Sequence, residues 1–373
     1  MTQEAAGCDV LVIGAGIVGL AHAAEAARRG LSVMVIDRDD RAVGASVRNF
    51  GHCCVTAQTG DLLELAHVAR ERWLAHSRDA GFFSVESGAL AVAQSAAELA
   101  VLEELAGTRG GAEVRMLTAA ELHSEFDAIG GSAIVGGAVL RDDLRVDPRE
   151  AVSALAAELA ARGVVFRWRT SYFGAADGVA ETSRGSIRAA RVIVCVGHDL
   201  DYLYPTPADE HELLRCGLQM ARVRTDPQLS IRPAVLTGTS MLRYPAFTAT
   251  EASDALRAEI TADDPVLLDI AANVMFTQRP DGTIIAGDSH AYGLTMAPFL
   301  AEGTWDVLLD RIRRVLGVQR LEVVERWQGV YASSAMHPYL VAEPEPGVTV
   351  VSVTSGVGMT ISLGLAAKVF AAL

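Results

Sequence analysis

The chain has 373 residues, half of them hydrophobic and 21% charged, and 46 acidic residues against 32 lysines and arginines give a formal net charge of −14. That composition excludes a disordered chain, and the acidity excludes nucleic acid as a partner, because phosphate binding needs a basic surface. A length beyond about 250 residues exceeds what one hydrophobic core serves, so two domains are expected.

Residues 8–13 are a short apolar run suited to a buried parallel strand. An alanine-rich helix over 17–29, closed by Gly30, and a second strand over 31–36 follow. Between the first strand and the helix lies Gly14-Ala15-Gly16-Ile17-Val18-Gly19, a G-x-G-x-x-G turn, and Asp37 ends the second strand. In such a unit the first glycine makes the turn and the second lets the backbone approach a pyrophosphate. The third packs the helix against the strand. The free N–H groups of the helix start attract the phosphates, and the terminal acid takes the adenosine ribose hydroxyls. Gly14, Gly16, Ile17, Gly19, Asp37 and the adjacent Arg38 are therefore candidate dinucleotide contacts. The motif alone leaves FAD and NAD both open.

Further along, 61–78 has the helical spacing of Leu62, Leu65, Val68 and Ala69 and breaks at Gly81, and 95–105 is another helix. Asp147-Pro148 places an N-cap and an N1 proline at the head of a helix running to Arg162. Gly163 ends it, 164–169 is a strand, and 191–196 is again a strand of buried parallel type. From Gly217 to Val330 the pattern changes to strands with turns, such as Asp281-Gly282 between 275–278 and 283–286. The last strand, 348–353, runs into Ser355-Gly356-Val357-Gly358 and a final helix. Nucleotide-type segments thus stand at both ends and in the middle. The expected fold is an α/β, Rossmann-like nucleotide domain (1–80, 145–215 and 331–373) interleaved with an antiparallel-sheet substrate domain (81–144 and 216–330).

The five cysteines are odd in number and lack C-x-x-C spacing, so free thiols in a reducing compartment are expected. The start of the chain is acidic and no run of about 20 apolar residues follows, which makes the cytoplasm the expected location and a membrane span unexpected. Lys368 is the only lysine, so arginine carries the positive charge.

After Asp37 comes Gly44-Ala45-Ser46-Val47-Arg48-Asn49-Phe50-Gly51. This stretch resembles the flavin-contacting segment of the D-amino-acid oxidase, glycine oxidase and sarcosine oxidase superfamily. The likeness extends to Asp147-Pro148 with its helix, to Val194-Cys195-Val196-Gly197, to Pro280-Asp281-Gly282 through Gly287-Asp288, and to Thr354-Ser355-Gly356-Val357-Gly358-Met359-Thr360. By that resemblance the cofactor is non-covalent FAD. Ala45 and Ser46 would sit near the pyrophosphate and ribityl chain, with Arg48, Asn49, Phe50 and Gly51 toward the isoalloxazine. Tyr172 would lie by adenine, Cys195 and Gly197 beside the cofactor, and Gly356, Val357, Gly358, Met359 and Thr360 at the flavin C2 carbonyl, where N–H groups stabilise negative charge. Ser46 to Gly51, Leu218-Gln219-Met220, Trp327-Gln328-Gly329-Val330-Tyr331 and Gly358-Met359-Thr360 are similar to the branch associated with phosphonate catabolism.

The resemblance implies an enzyme, an FAD-dependent amine oxidase or dehydrogenase. It would oxidise the C–N bond of a small amine or amino acid by hydride transfer to flavin N5, and an N-methylated aminophosphonate is one such substrate. A glycine, sarcosine or D-amino-acid oxidase or dehydrogenase, a flavin monooxygenase and a non-catalytic FAD-binding protein are the alternatives. The chain departs from the family at Tyr331, where amino-acid oxidases carry the arginine that clamps the substrate carboxylate. Arg243 is the preferred replacement cation, with Arg222 and Arg48 behind it, because an arginine fork suits a carboxylate or a phosphonate; a salt bridge is the alternative for each. His52 is a candidate for orienting the substrate, or else a packed histidine. Cys53 and Cys54 are unsuited to flavin linkage, since relatives place that cysteine late in the chain. His337 is a candidate pocket residue or an exposed one. Lys368 is badly placed to activate oxygen, so the electron acceptor, dioxygen or another, stays open. No metal site is expected.

Overall fold

Strands that are apolar on both faces build the first sheet of the computed structural model, which describes residues 7–373. Gly7–Ile13 lies at its centre, parallel to Val33–Ile36 on one side and to Ile187–Val194 on the other. Val165–Arg167 and Val348–Val353 extend the parallel array outward, and antiparallel strands close both ends of the Ile187–Val194 side. Side chains alternate between the two faces as the pleat requires. Val10, Val12, Val33, Val35, Ile193 and Val351 enter one core, beneath the helices Ile17–Arg28, Gly60–Ala80, Pro148–Ala161 and Gly358–Ala372. Leu11, Ile13, Met34, Ile36, Val192, Val194 and Val350 enter the other. Each such buried side chain contributes about 1.5–3 kcal/mol of transfer free energy, which is why this layer reads so clearly in the sequence.

The second eight-stranded sheet runs in the order Leu321–Ser333, Leu214–Thr225, Ile284–Gly293, Met275–Gln278, Ala234–Leu236, Ala89–Ala93, Gly136–Leu140, Val114–Thr118. It is antiparallel except where Ala234–Leu236 runs parallel to Ala89–Ala93, and one continuous core lies against it. A small three-stranded sheet pairs His52–Cys53 and Ser84–Val85 with Leu144–Val146. The architecture is a Rossmann-like layer joined to a largely antiparallel one, the α/β arrangement expected.

Several boundaries differ from expectation. The strand expected at 191–196 is Ile187–Val194, because Arg188 and Ala189 also pair with Gly7 and Cys8. The 217–330 region is not strands and turns alone. It includes the helices Ala252–Asp263 and Glu302–Leu316 and short helical turns around them. Their signal was present: Leu256 and Ile260, and Trp305, Leu308, Ile312 and Val315, repeat at helical spacing and are buried. The Asp147 cap is as expected. Its carboxylate accepts from the Arg149 N–H at 3.0 Å, and Pro148 opens the helix.

Candidate functional site

The two layers meet along one cleft of about 430 Å³, within the range of small-molecule sites. It opens at the carboxyl ends of Gly7–Ile13 and its parallel neighbours, where ligands of open α/β sheets bind. Gly14 turns the chain there with φ +100°, and a Cβ on it would meet the Cys195 carbonyl oxygen at 2.5 Å. Gly19 does not line the cleft. A Cβ on it would collide with the Gly14 carbonyl, so it holds helix against turn. Ser46 Oγ accepts from the Ile17 N–H at 2.9 Å at the helix start. Asp37 accepts from the N–H groups of Ala15 and Asp39, at 2.7 and 2.9 Å, and burial pushes its carboxyl above the usual range. Arg38 spans the cleft edge to Asp199 at 2.7 Å.

Most of the expected cofactor residues share this surface: Gly14, Gly16, Ile17, Asp37, Arg38, Ala45, Ser46, Arg48, Asn49, Phe50, Tyr172, Cys195, Gly197, Gly356, Gly358 and Met359. Gly51, Val357 and Thr360 stand behind it. Gly51 packs against the Val146 carbonyl, and the Thr360 hydroxyl accepts from the Cys54 N–H at 3.1 Å. The cleft therefore fits an elongated dinucleotide, with an acid and Tyr172 at one end and a second glycine turn at the other.

Past Gly356 the cleft ends in a group of polar side chains. Arg243, in the turn after Gly238–Met241, donates to the Tyr331 hydroxyl at 2.6 Å and to the Tyr292 hydroxyl at 3.5 Å. Arg243 and Tyr331 both lie against Gly356, at 3.3 and 3.1 Å from where its Cβ would be. Burial raises the Tyr331 phenol well above its ordinary value against the opposing pull of Arg243. Tyr331 is thus neutral, an oxygen acceptor for the guanidinium and not its counter-ion. Among the described residues Arg243 is in no ion pair, whereas Arg222, further along the strand Leu214–Thr225, is held by Asp281 and Glu325 and lies outside the cleft lining.

His52, His337 and Lys368 are elsewhere. His52 Nε2 lies 2.7 Å from Asp143 Oδ2, buried behind the cleft, and Asp143 Oδ1 accepts from the Thr56 N–H. His52, Asp143 and Cys54 bring donor atoms within 4.8 Å of one another, but both Asp143 oxygens are already engaged. His337 lies against His211, with ring centroids 5.5 Å apart and tilted by 56°, outside the cleft lining. Lys368 pairs with Asp61 at 2.6 Å, among exposed groups.

Sequence reading missed Asp288, His290 and Asn273, which line the same end of the cleft as Arg243. Asp288 is 3% exposed, and its Oδ1 has no hydrogen-bond partner. Burial pushes its carboxyl up to about 7, with Arg243 pulling the other way. His290 donates from Nδ1 to the Ala271 carbonyl at 2.7 Å; burial and then Arg243 hold it down at about 3, so it is neutral. The available signal was Asp288, Ser289 and His290, three polar residues at the end of a buried apolar run.

The model of the family described as FAD dependent oxidoreductase matches residues 9–373. Among solved structures, a glycine oxidase from Geobacillus kaustophilus is 20% identical with a TM-score of 0.76, over 97% of this chain and 94% of that one. An iminodiacetate oxidase from Chelativorans sp. BNC1 gives 20% and 0.76 over 97% and 95%. An L-alpha-glycerophosphate oxidase from Mycoplasma pneumoniae, with FAD bound, gives 18% and 0.74 over 97% and 94%. At these identities the likeness shows the fold. No curated protein sequence matches. With a glycine turn at each end of one cleft and a family match over nearly its whole length, the chain belongs to the FAD dependent oxidoreductase family.

Proposed function

We propose that this enzyme oxidises the C–N bond of a small amine or amino acid that also carries an anionic group, N-methylated aminophosphonates included. The carrying observation is Arg243, a guanidinium that lines the cleft end against the Gly356 turn with phenols, not carboxylates, as its partners. An arginine whose direct hydrogen-bond partners are neutral phenols is matched by an anion that accepts two N–H bonds at once. Tyr331 places it by accepting one hydrogen bond, so in this reading the clamp comes from the 242–244 turn and not from the strand Leu321–Ser333. The similar glycine oxidase and iminodiacetate oxidase act on amines by name, which supports the class. The phosphonate member rests on the resemblance of Ser46 to Gly51 and Trp327 to Tyr331, and on the fork geometry that serves either anion.

FAD would be held at its adenosine half by Gly14, Gly16, Ile17, Asp37, Arg38 and Tyr172, and at its ring end by Ser46 to Phe50 and Gly356 to Met359. When bound it supplies the two-electron acceptor. The chain itself orients the substrate through Arg243 and excludes water behind Tyr244 and Tyr331. The test is anaerobic mixing of the holoenzyme with N-methylaminoethylphosphonate, sarcosine, glycine and D-amino acids. One of them is expected to bleach the flavin absorbance, and no bleaching by any amine overturns the reading. Admitting dioxygen afterwards separates an oxidase from a dehydrogenase by whether the colour returns at once.

A further inference from the structure

We propose that Asp288 is the group that receives the substrate's ammonium and takes its proton, so that the cleft end is built for a zwitterion. The proposal rests on the amine reading above and assigns its second half. Four observations carry it. Asp288 is the extra residue of a β-bulge: Gln219 pairs with Ser289 and Met220 with Gly287, leaving Asp288 outside the register. Bulges re-aim a side chain and cluster at active sites, and this one turns a carboxylate into the cleft. Its backbone is clamped, exchanging both hydrogen bonds with Asn273 at 2.7 and 2.8 Å. Its carboxylate is 3% exposed and Oδ1 has no hydrogen-bond partner, a costly state for a charge that a cation brought into the cleft would offset. Arg243, finally, shares the cleft end with it but forms no ion pair with it, so the two opposite charges are held apart with space between them.

The proton step is simple. The ammonium N–H bond breaks, an O–H bond forms at the Asp288 carboxylate, and a neutral amine with a free lone pair remains. Oxidation of the adjacent carbon needs that neutral form. A carboxyl raised to about 7 by burial is well matched to this task near neutral pH. The groups that face it are Arg243 from the 242–244 turn, Tyr244, Cys216 from Leu214–Thr225, and His290 on its own strand, with Nε2 at 3.9 Å from Oδ2. Burial keeps Tyr244 and Cys216 protonated and His290 neutral, so Asp288 is the group of this set that titrates near neutrality.

The test uses oxidised holoenzyme and ligand pairs of equal shape that differ by one positive charge and cannot be oxidised. These are trimethylglycine against 3,3-dimethylbutanoate, and 2-(trimethylammonio)ethylphosphonate against 3,3-dimethylbutylphosphonate, with binding followed by calorimetry. At pH 8 the ammonium member of the pair that binds is expected to be preferred by about tenfold or more through its charge alone, and Asp288→Asn and Asp288→Ser are expected to abolish that preference while retaining FAD. Equal binding by the wild type, or a preference kept in both variants, overturns the proposal. If neither pair binds, the flavin-reduction rate of the amine that bleaches decides. It is expected to rise through about pH 7 in the wild type and to lose that inflection in Asp288→Asn; an unchanged inflection overturns the proposal. Absence of bleaching by every amine, with the charge preference intact, instead overturns the amine reading and leaves the cation site standing.

Discussion

At the scale of single residues, the cleft end combines a cation and an acid whose protonation is set by burial more than by sequence. Arg243 donates to two phenols and stays charged. Arg243→Leu is expected to weaken binding of an anionic substrate by roughly 10- to 150-fold, the effect of losing a charge-assisted hydrogen bond, with FAD content unchanged; Arg243→Lys recovers only part of it. Substrate titration of the flavin spectrum measures both. Asp288 also carries a stability consequence. Its folded pKa of about 7 lies above the unfolded carboxylate value of about 3.9. The native state therefore binds the extra proton, and the stability it contributes is full below about pH 4 and falls as pH rises toward 7. Denaturant unfolding of the apoprotein at pH 5 and pH 8 is expected to show this loss, and Asp288→Asn is expected to flatten it. Arg243 was identifiable from the sequence as a candidate, since a tyrosine at the usual clamp position calls for another arginine and Arg243 stands in Leu242-Arg243-Tyr244-Pro245. Asp288 was not, because a bulge overrides the strict alternation from which inward-facing residues are read.

At the scale of elements, the strand–turn–helix start depends on two close approaches that tolerate no added atom. Gly19→Ala puts a methyl group into the Gly14 carbonyl. The helix Ile17–Arg28 must then shift off Gly7–Ile13, and FAD loading is expected to fall sharply, read from the ratio of flavin to protein absorbance. The helix Pro148–Ala161 depends on its cap in a different way. Asp147 accepts from the Arg149 N–H and is also paired with Arg279 at 2.9 Å, so it ties the Rossmann-like layer to the second sheet. Asp147→Ala is expected to cost about 2–4 kcal/mol, combining a lost cap with a broken, largely buried ion pair. Asp147→Asn keeps the cap and should cost less; urea denaturation distinguishes them. These elements were legible because capping, proline placement and glycine spacing are local signals. The helices Ala252–Asp263 and Glu302–Leu316 were obscured by the strands on either side, although their apolar spacing is helical.

At the scale of the whole molecule, FAD would touch both halves of the parallel layer and the edge of the second sheet, since the cleft is lined by all three. A ligand that binds only the folded state stabilises it by about 2.7 kcal/mol at a concentration 100 times its Kd. Removing FAD is therefore expected to lower the Tm by roughly 3–4 °C for a chain of this size, with calorimetry of the apo and reconstituted protein as the check. A shift of less than a degree would mean that the folded state holds FAD only weakly at the concentration used.

The sequence by itself determined the Rossmann-like layer and its glycine turns, because buried parallel strands and phosphate turns are written in contiguous residues whose spacing is dictated by backbone geometry; FAD rather than NAD followed from the resemblance of Gly44 to Gly51 and Thr354 to Thr360 to a known family. What only the tertiary structure decided is the chemistry at the end of the cleft. Arg243, Tyr331, Asn273, Asp288 and Gly356 come from separate elements, and their distances and protonation follow from how two sheets pack and how deeply that packing removes each group from water. His52 makes the same point in reverse. It stands two residues after Phe50, which lines the cleft, yet its strand pairing to Arg145 turns it away toward Asp143.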